Sequence, residues 1–434
     1  MSVGLQRLRD DADRLKQAAS DKGEDPSVVD RAIELDQERR RLVAESDRLK
    51  GVRNRISEEI ADAIRGGADP ESASFKELKE RSRIEGAGIE SLAQDIQAVE
   101  TELDNAMLRI PNPADPDVPV GDEEANRVLR TWGEPLPRAT SEGWERRPHW
   151  ELADGLIDLP RGAKVTGSGW PMYTGDASAL QRALINWFLD VHTREHGMTE
   201  VWPPALVNAD SARGTGQIPD KEDQMYAVER DGLYLVPTAE VPVTNMHRDE
   251  ILDAAELPIR YAAYSPCFRR EAGAAGKDTR GIVRVHQFDK VEMVSFTKPD
   301  DARAELEWLT ERAEILAQRL GLAYRVVLMA TREMGFVQQR KHDLEVWAPG
   351  AERWLEVSSV STFSDYQARR MDIRYRPEPG AKPELVHTLN GSGLALARTV
   401  AALLETHQRA DGSIGVPEPL RPYLGGRDVI GRPA

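Results

Sequence analysis

The strongest constraint on this chain is a heptad pattern that runs through residues 27–110. In the first half an apolar residue recurs every seven positions, at Val28, Leu35, Leu42, Leu49, Ile56 and Ala63. In the second half steps of three and four alternate, with two polar interruptions, through Phe75, Leu78, Ser82, Glu85, Ile89, Leu92, Ile96, Val99, Leu103, Ala106 and Ile110. A helix-breaking Gly-Gly-Ala-Asp-Pro stretch at 66–70 separates the halves. The pattern predicts two antiparallel helices of about 37 residues each, forming a coiled-coil arm roughly 55 Å long.

Charge is distributed unevenly along this predicted arm. Residues 39–55 hold seven basic and two acidic side chains, whereas residues 71–108 hold four basic and nine acidic ones. These opposite charges either pair across the seam or leave a phosphate-binding face on the first helix. The net charge of −16 excludes a wholly basic nucleic-acid coat protein, but it does not exclude such a local face. The candidate phosphate-binding residues of this face are Arg39, Arg40, Arg41, Lys50, Arg53 and Arg55.

Four prolines between residues 111 and 119 end the arm, because a helix cannot continue through them. We therefore predict an arm at 1–110, a Pro-rich linker at 111–134 and a second domain at 135–434. In that domain, strand-like runs at 233–236, 343–347 and 354–357 follow each other without a β-α-β alternation. This order predicts an α+β fold with an antiparallel β-sheet flanked by helices.

Composition limits both the cellular compartment expected for this protein and the kinds of functional site that it can contain. The single cysteine, Cys267, excludes an intramolecular disulfide and a cysteine-cluster zinc site, and it is typical of a reducing compartment. No apolar run approaches the roughly 20 residues of a membrane span, and the N-terminus does not resemble a secretory signal. These features predict a cytoplasmic protein without a membrane partner. The sequence contains no glycine-rich phosphate loop, so a nucleotide site would need side-chain cations.

Three segments carry residues suited to such a site. Arg269 and Arg284 flank a turn rich in glycine and alanine, and a strand–loop–strand would aim both guanidinium groups at one anion. Glu356 and Ser359 offer two oxygens to a nucleotide-bound Mg²⁺. At 387–398, a Gly-Ser-Gly turn is expected to lead into an apolar helix that presents Arg398 to a triphosphate. Taken singly, the segments fit equally well an ordinary charged hairpin, an exposed strand and a turn before an amphipathic helix.

Taken in order, these segments resemble the motifs of class II aminoacyl-tRNA synthetases. The chain is similar to bacterial-type seryl-tRNA synthetases over nearly its whole length, including Gly214-Thr215-Gly216-Gln217 and the segments 237–242 and 416–423. Motif 1, the dimer element, falls near 197–204, motif 2 near 267–292 and motif 3 near 387–398. The resemblance implies an N-terminal antiparallel helical coiled-coil arm joined to a class II synthetase catalytic domain.

The resemblance also implies an activity. An ATP-dependent serine–tRNA ligase activates L-serine to seryl-adenylate, releases pyrophosphate, and then transfers serine to tRNA(Ser), with tRNA(Sec) as a second candidate acceptor. Mg²⁺ accompanies the ATP. The expected assembly is a homodimer through motif 1, in which the basic face of the arm holds tRNA across subunits.

The resemblance assigns roles residue by residue. The implied catalytic residues are Arg269, Glu292 and Arg398. The implied serine-binding residues are Thr238, Ala239, Glu240, Arg269, Glu292, Asn390 and Ser392. The implied ATP-binding residues are Arg269, Arg270, Glu271, Arg284, Val285, Phe288, Glu356, Val357, Ser358, Ser359 and Arg398, with Glu356 and Ser359 also implied for Mg²⁺.

Two segments depart from the family pattern, at 331–342 and 358–362. Larger side chains in the first segment are expected to narrow or reshape the pocket. This leaves open a specialised paralogue, either antibiotic-resistant or biosynthetic, an amino acid:carrier-protein ligase and a non-catalytic tRNA-binding protein. The intact arm argues against the carrier-protein ligase, and the presence of Arg269 and Arg398 argues against a non-catalytic protein.

Overall fold

A computed structural model describes residues 3–152, 155–272 and 280–431 of the chain. It divides into two compact units, Met1–Pro111 and Asn112–Ala434. The turn of the predicted motif 2, at 273–279, lies outside the described residues, as do residues 1–2 and 432–434 at the ends of the predicted domains.

The first unit is helical. Its helices are α1 (Leu5–Asp10), α2 (Ala12–Asp21), α3 (Ser27–Arg65) and α4 (Ala73–Leu108). The two long helices have 39 and 36 residues, and the side chain of Ser72 caps α4 by accepting a hydrogen bond from the Phe75 amide. Arg31 on α3 pairs with Glu102 near the end of α4, as antiparallel helices require. The predicted helical arm is confirmed.

The interface between α3 and α4 contains buried apolar side chains at its two ends and a close approach of the helices in the middle. Leu35, Leu42 and Ile56 of α3 are buried, as are Phe75 and Leu103 of α4. Midway, Gly88 lies against Leu49, and a Cβ on this glycine would come within 3.2 Å of the leucine side chain. The small residue therefore allows the two helices to approach closely at this level.

Ion pairs on the arm separate the two interpretations of its charge. Only two basic residues of the described arm pair across the seam, Arg31 with Glu102 and Arg39 with Glu100. Further along α3 the pairs lie within the helix at three-residue spacing: Arg41–Glu38, Arg48–Glu45 and Lys50–Asp47. Arg40, Arg53 and Arg55 are exposed and form no ion pair with a described residue. Pairing across the seam thus leaves most of the basic face open.

The second unit is an α+β domain. Its helices are α5 (His149–Leu152), α6 (Leu159–Val165), α7 (Gly175–Asp190), α8 (Ala209–Thr215), α9 (Glu240–Thr244), α10 (Ala302–Arg319), α11 (Tyr366–Met371) and α12 (Leu396–His407). Its strands are β1 (Arg127–Trp132), β2 (Thr199–Val201), β3 (Leu206–Asn208), β4 (Ala227–Val228), β5 (Leu233–Leu235), β6 (Ile251–Asp253), β7 (Ile259–Phe268), β8 (Gln287–Thr297), β9 (Tyr324–Leu328), β10 (Arg340–Ala348), β11 (Arg353–Thr362), β12 (Arg374–Arg376), β13 (Glu384–Leu385), β14 (His387–Ala395), β15 (Ile414–Gly415) and β16 (Val429–Ile430).

An eight-stranded sheet organises this domain in the order β1-β9-β10-β11-β14-β8-β7-β2. All of its neighbouring strands are antiparallel except β2, which pairs in parallel with β7 at one edge. Apolar residues of α7, α10 and α12 pack against the sheet to form the main core. The predicted antiparallel sheet flanked by helices is confirmed, with the runs at 343–347 and 354–357 in its centre and the run at 233–236 in a small separate sheet.

The segment predicted as a linker, 111–134, belongs largely to the second unit. Asn112 is buried and donates through its amide to the carbonyls of Val337 and Phe363. Further along, β1 pairs with β9 as an edge strand of the large sheet. The prolines end the arm as expected, but the chain beyond them packs onto the domain, so the prediction of a linker to residue 134 is wrong.

The Gly-Ser-Gly turn predicted before Arg398 is also wrong, because residues 391–393 lie inside strand β14. The glycines allow close contacts and do not reverse the chain. A Cβ on Gly391 would come within 3.1 Å of Val360, and one on Gly393 would lie 2.2 Å from the ring of His192. Helix α12 then begins at Leu396, so Arg398 does lie in the first turn of an apolar helix.

Candidate active site

A cavity of about 510 Å³ opens where β7, β8, β10, β11, β14 and the start of α12 meet. Most of the predicted site residues line it together. They are Thr238, Glu240, Arg269, Glu271, Arg284, Val285, Phe288, Glu356, Val357, Ser358, Ser359, Asn390, Ser392 and Arg398.

Three predicted residues lie elsewhere. Ala239 is buried in a separate apolar cluster, and Arg270 is exposed outside the cavity lining. Glu292 is completely buried behind the lining and contacts it through hydrogen bonds to Asn390 and Ser392. The side chains of Ala239 and Arg270 therefore do not line the cavity that the described residues form, and Glu292 lies behind Asn390 and Ser392.

The motif 2 hairpin supplies two cations and a ring. The guanidinium of Arg269 lies over the Phe288 ring, 5.1 Å from its centroid. Just before the return strand, Arg284 donates to a carboxylate oxygen of Glu271 at 2.7 Å. Strand pairing between Phe268 and Gln287 brings these residues together across the hairpin. The predicted convergence of Arg269 and Arg284 on one space is what the structure has.

Arg398 ties three segments of the cavity lining together. Its Nε donates to the Val283 carbonyl at 3.1 Å, and its Nη1 donates to the Glu356 carbonyl at 3.1 Å. The same Nη1 lies 3.2 Å from a carboxylate oxygen of Glu356. Burial alone would raise the pKa of Glu356, but Arg398, Lys341 and Arg269 outweigh it and lower this pKa. The Glu356 carboxylate is thus held in its charged form.

A β-bulge brings Glu356 and Ser359 to the same side of β11. In the pairing with β10, Ser358 lies opposite Leu344 while Glu356 lies opposite Glu345, so Val357 is an extra residue. Residues three apart on a regular strand would point to opposite faces. With the bulge both side chains line the cavity, and their oxygens are of the kind that a hard divalent cation prefers.

A buried polar network forms the other end of the cavity. Glu292 on β8 lies opposite Ser392 on β14, and spacing by two puts Lys290 and Asn390 on the same face. The Asn390 amide donates to Glu292 at 2.9 Å, and Lys290 forms an ion pair with Glu292 and donates to the Thr238 hydroxyl at 2.9 Å. The network is therefore held in place before any ligand arrives.

Glu240 completes this network from the start of α9. It accepts hydrogen bonds from Gln367 at 2.7 Å and from Asn390 at 2.9 Å. Burial, and then the neighbouring charge of Glu292, raise the pKa of Glu240 to about 7. Asn390 thus bridges two carboxylates, and its own carbonyl oxygen has no hydrogen-bond partner among the described residues.

Comparison with known proteins agrees with this geometry. Residues 4–114 match the seryl-tRNA synthetase N-terminal domain, and residues 226–407 match the tRNA synthetase class II core domain (G, H, P, S and T). Serine–tRNA ligase from Geobacillus kaustophilus is 50% identical over 98% of both chains, and that of Salinibacter ruber is 51% identical over 98% of both. The chain belongs to the seryl-tRNA synthetase family.

Solved structures support the same assignment. The crystal structure of seryl-tRNA synthetase from Pyrococcus horikoshii complexed with ATP superposes with a TM-score of 0.91, at 37% identity over all of both chains. Cytoplasmic serine–tRNA ligase from Naegleria fowleri in complex with AMP gives a TM-score of 0.87 at 28% identity, covering 99% of this chain and 98% of that one. The predicted family and class of enzyme are confirmed, and these relatives give no support to the carrier-protein ligase or the non-catalytic alternative.

Both departures from the family pattern border the cavity of this seryl-tRNA synthetase. Glu333, Val337, Gln338 and Lys341 of the first segment line it, and so does Ser361 of the second. Val337 also packs against Gly216, where a Cβ would come within 2.3 Å of it. Both segments therefore lie beside the site, while the expected narrowing or reshaping of the pocket stays a prediction.

Several polar residues at the site are absent from the predicted set, and four of them contribute to the networks described above or to the cavity lining. Lys290 could have been identified from the sequence, because it lies two positions before Glu292 on one strand and therefore on the same face. Lys341 lies in the segment 331–342, where the departure from the family pattern hides its role. Lys221 lines the cavity and Gln367 bonds to Glu240 from distant parts of the chain, and no local pattern marks either.

Within the described residues, no helix combines the length and apolarity of a bilayer span.

Proposed function

We propose that this cavity joins serine to tRNA in two steps. In the first, a carboxylate oxygen of serine attacks the α-phosphorus of ATP, the α–β bridging P–O bond breaks, and pyrophosphate leaves with the electron pair. In the second, a terminal ribose hydroxyl of tRNA(Ser), or of tRNA(Sec), attacks the carbonyl carbon of seryl-adenylate, and AMP leaves. No side chain forms a covalent bond, so the protein contributes positioning and charge stabilisation.

One observation carries this proposal. Guanidinium groups, an aromatic ring and a buried carboxylate pocket share a single cavity of about 510 Å³. The cations and the ring suit a nucleotide triphosphate, and the carboxylates suit a small ammonium-bearing molecule. Arg269 lines the same cavity, and we assign it to neutralise charge where an amino-acid carboxylate would meet the α-phosphate.

The ATP end follows from the hairpin and from Arg398. The adenine ring stacks on Phe288, and the Glu271 carboxylate accepts a hydrogen bond from the adenine amino group. Arg284 binds the phosphate chain, while Arg398, held by Val283 and Glu356, binds its γ-phosphate end. Permanently charged guanidinium forks suit this role because they bind phosphate oxygens in pairs. Val285, Val357 and Ser358 complete the walls.

The serine end follows from the buried network. Glu240 and Glu292 balance the serine ammonium, and Thr238 and Ser392 lie at the edges of the same pocket. The carbonyl oxygen of Asn390, which has no partner in the part of the chain that the structure describes, accepts a hydrogen bond from the serine hydroxyl. Alanine lacks that hydroxyl and would leave this oxygen unpaired, which is a strong basis for rejecting it.

Mg²⁺ enters as part of the ATP substrate. The Glu356 carboxylate and the Ser359 hydroxyl fit such an ion, because the bulge at Val357 turns both oxygens toward the same space. The charged state of Glu356 fits the same role. When bound, the ion neutralises negative charge on the phosphates.

The arm and one sheet edge suit the partners. The exposed basic face of α3 fits the tRNA backbone, and binding by such a face falls steeply as salt rises. Directly after the edge strand β2 stands Trp202, which is 75% exposed, and this supports a homodimer through motif 1, with tRNA held across subunits. We place the enzyme in the cytoplasm, where tRNA is charged and where a lone buried thiol such as Cys267 persists.

Pyrophosphate exchange with each of the twenty amino acids tests this function. We expect exchange that depends on serine and Mg²⁺·ATP, with alanine, threonine, glycine and cysteine far less active. Exchange driven by a different amino acid would contradict the serine assignment. Absence of exchange with all twenty would contradict adenylate formation in this cavity.

A further inference from the structure

Lys341 reaches the floor of the cavity from β10, next to the Glu356–Ser359 pair. In the pairing of β10 with β11, Lys341 lies opposite Ser361 and Asp343 lies opposite Ser359. Side chains two apart on a strand share a face, so Lys341 and Asp343 point the same way. Both serines and Lys341 line the cavity, which identifies this face as the one that a ligand would contact.

Lys341 belongs to a compact group of charges. Its Nζ lies 3.0 Å from a carboxylate oxygen of Asp343 and donates to the Glu333 carbonyl at 3.4 Å. Beside it, Arg398 pairs with Glu356. Two cations therefore balance two carboxylates here, and a bound polyphosphate would compete with these carboxylates for the two cations as well as drawing on Arg269 and Arg284.

Lys341 has a donor to spare. An ammonium group carries three protons, and the described residues provide acceptors for two of them. The Lys341 side chain is 14% exposed, whereas that of Asp343 is only 3% exposed. The carboxylate is thus almost fully buried, while the ammonium remains within reach of a molecule in the cavity.

We propose that Lys341 is an additional ATP-binding residue, whose ammonium donates its spare proton to a β- or γ-phosphate oxygen beside Arg398. The inference rests on the function proposed for this cavity and adds a fourth side-chain cation to Arg269, Arg284 and Arg398 at the phosphate chain. Asp343 acts as a positioning residue that fixes the lysine and accepts one of its protons.

Calorimetric titration of the full-length enzyme with Mg²⁺·ATP tests the proposal. Lys341→Met keeps the length of the side chain but removes the charge, and it should weaken ATP binding about 10-fold to 100-fold, the usual worth of a hydrogen bond to a charged group. Serine affinity should not change. Lys341→Arg should recover most of the ATP affinity, and Lys382→Met, at an exposed lysine, should match the wild type. Unchanged ATP binding by Lys341→Met would overturn the proposal, as would an equal loss of serine binding, which would mark a structural role.

A double variant separates phosphate binding from simple neutralisation of Asp343. If Lys341 only balances this buried carboxylate, Lys341→Met combined with Asp343→Asn restores charge balance, and ATP affinity returns to the wild-type value. If Lys341 binds phosphate, the double variant remains as weak as Lys341→Met. Failure of the wild type itself to bind ATP would refute the proposed function, whereas wild-type binding with recovery in the double variant would refute only the role of Lys341.

Discussion

Glu240 offers a quantitative test of the serine pocket, because its surroundings set its charge near neutral pH. The side chain is 5% exposed, and burial together with Glu292 raises its pKa to about 7. We predict that serine binds only when Glu240 is ionised, since the substrate ammonium needs a negative partner. The ionised fraction falls tenfold for each pH unit below 7, so serine should bind about 30-fold more weakly at pH 5.5 than on the alkaline plateau.

Glu240→Gln removes this titration and nearly preserves the shape of the side chain. Serine affinity should then be about 10-fold to 150-fold below the wild-type plateau, the cost of losing a charged hydrogen-bond partner, and should stay flat from pH 5.5 to 8. Calorimetric titration of serine over this range is the assay, with ATP affinity as an internal reference and Glu256→Gln as an exposed control. A flat wild-type profile, or a steep profile in Glu240→Gln, would refute the reasoning.

Glu240 also affects the stability of the fold, and this effect has the opposite pH dependence: low pH weakens serine binding but favours the folded state. Because the folded-state pKa of Glu240 lies above its ordinary value of 4.5, the native state keeps a proton that the unfolded chain releases. This contribution to stability is present at low pH and is lost as the pH rises from 4.5 through 7. Relative to Glu240→Gln, the wild type should lose about 2 to 3 kcal/mol of unfolding free energy between pH 5 and pH 8. Chemical denaturation of both proteins at the two pH values measures this difference. If the unfolding free energy changed by the same amount in both proteins between the two pH values, the raised pKa of the buried Glu240 carboxyl would be contradicted.

Three further predictions concern catalysis, tRNA binding and the motif 3 strand. Arg269→Ala should lower pyrophosphate exchange by at least about a thousandfold, as expected for loss of a transition-state cation, while Arg230→Ala at an exposed site should not; similar rates in the two variants would exclude the role of Arg269. Neutralising four cations of α3 should raise the KM for tRNA, and it should reduce the slope of log tRNA affinity against log salt concentration by about 3. Pyrophosphate exchange should not change, and neutralising four cations of α4 should have neither effect on tRNA. The α3 set is Arg40, Arg41, Lys50 and Arg53, and the α4 set is Lys76, Lys79, Arg81 and Arg83. Gly393→Ala would place a Cβ 2.2 Å from the fully buried His192 ring, so the thermal midpoint and exchange should both fall, and wild-type values for both would contradict the close packing.

The parts of this fold that could be predicted are those with a local signature. A seven-residue repeat and a Gly-Gly break define the arm without reference to the rest of the chain. The short motifs around Arg269, Glu356 and Arg398 likewise mark the site, because each is contiguous in sequence. The same local view explains both errors, since glycines at 391–393 signal a turn and a close approach equally well, and prolines after residue 110 end a helix without telling whether the chain then packs.

What could not be predicted depends on pairing between distant segments. The bulge at Val357, which aligns Glu356 with Ser359, exists only in the register of β11 against β10. Gln367 reaches Glu240 from 127 positions away. Lys341 looks like one more charge in an irregular segment until the strand register turns it toward the cavity. These relations arise from long-range contacts that no sequence window contains.

Charging of purified tRNA(Ser) with labelled serine tests the central claim most directly. We predict ATP-dependent formation of seryl-tRNA, with release of one AMP and one pyrophosphate for each serine transferred, and no comparable charging with alanine or threonine. Serine-dependent pyrophosphate exchange without any transfer to tRNA would contradict the account, because it would mean that the cavity activates serine for a different acceptor.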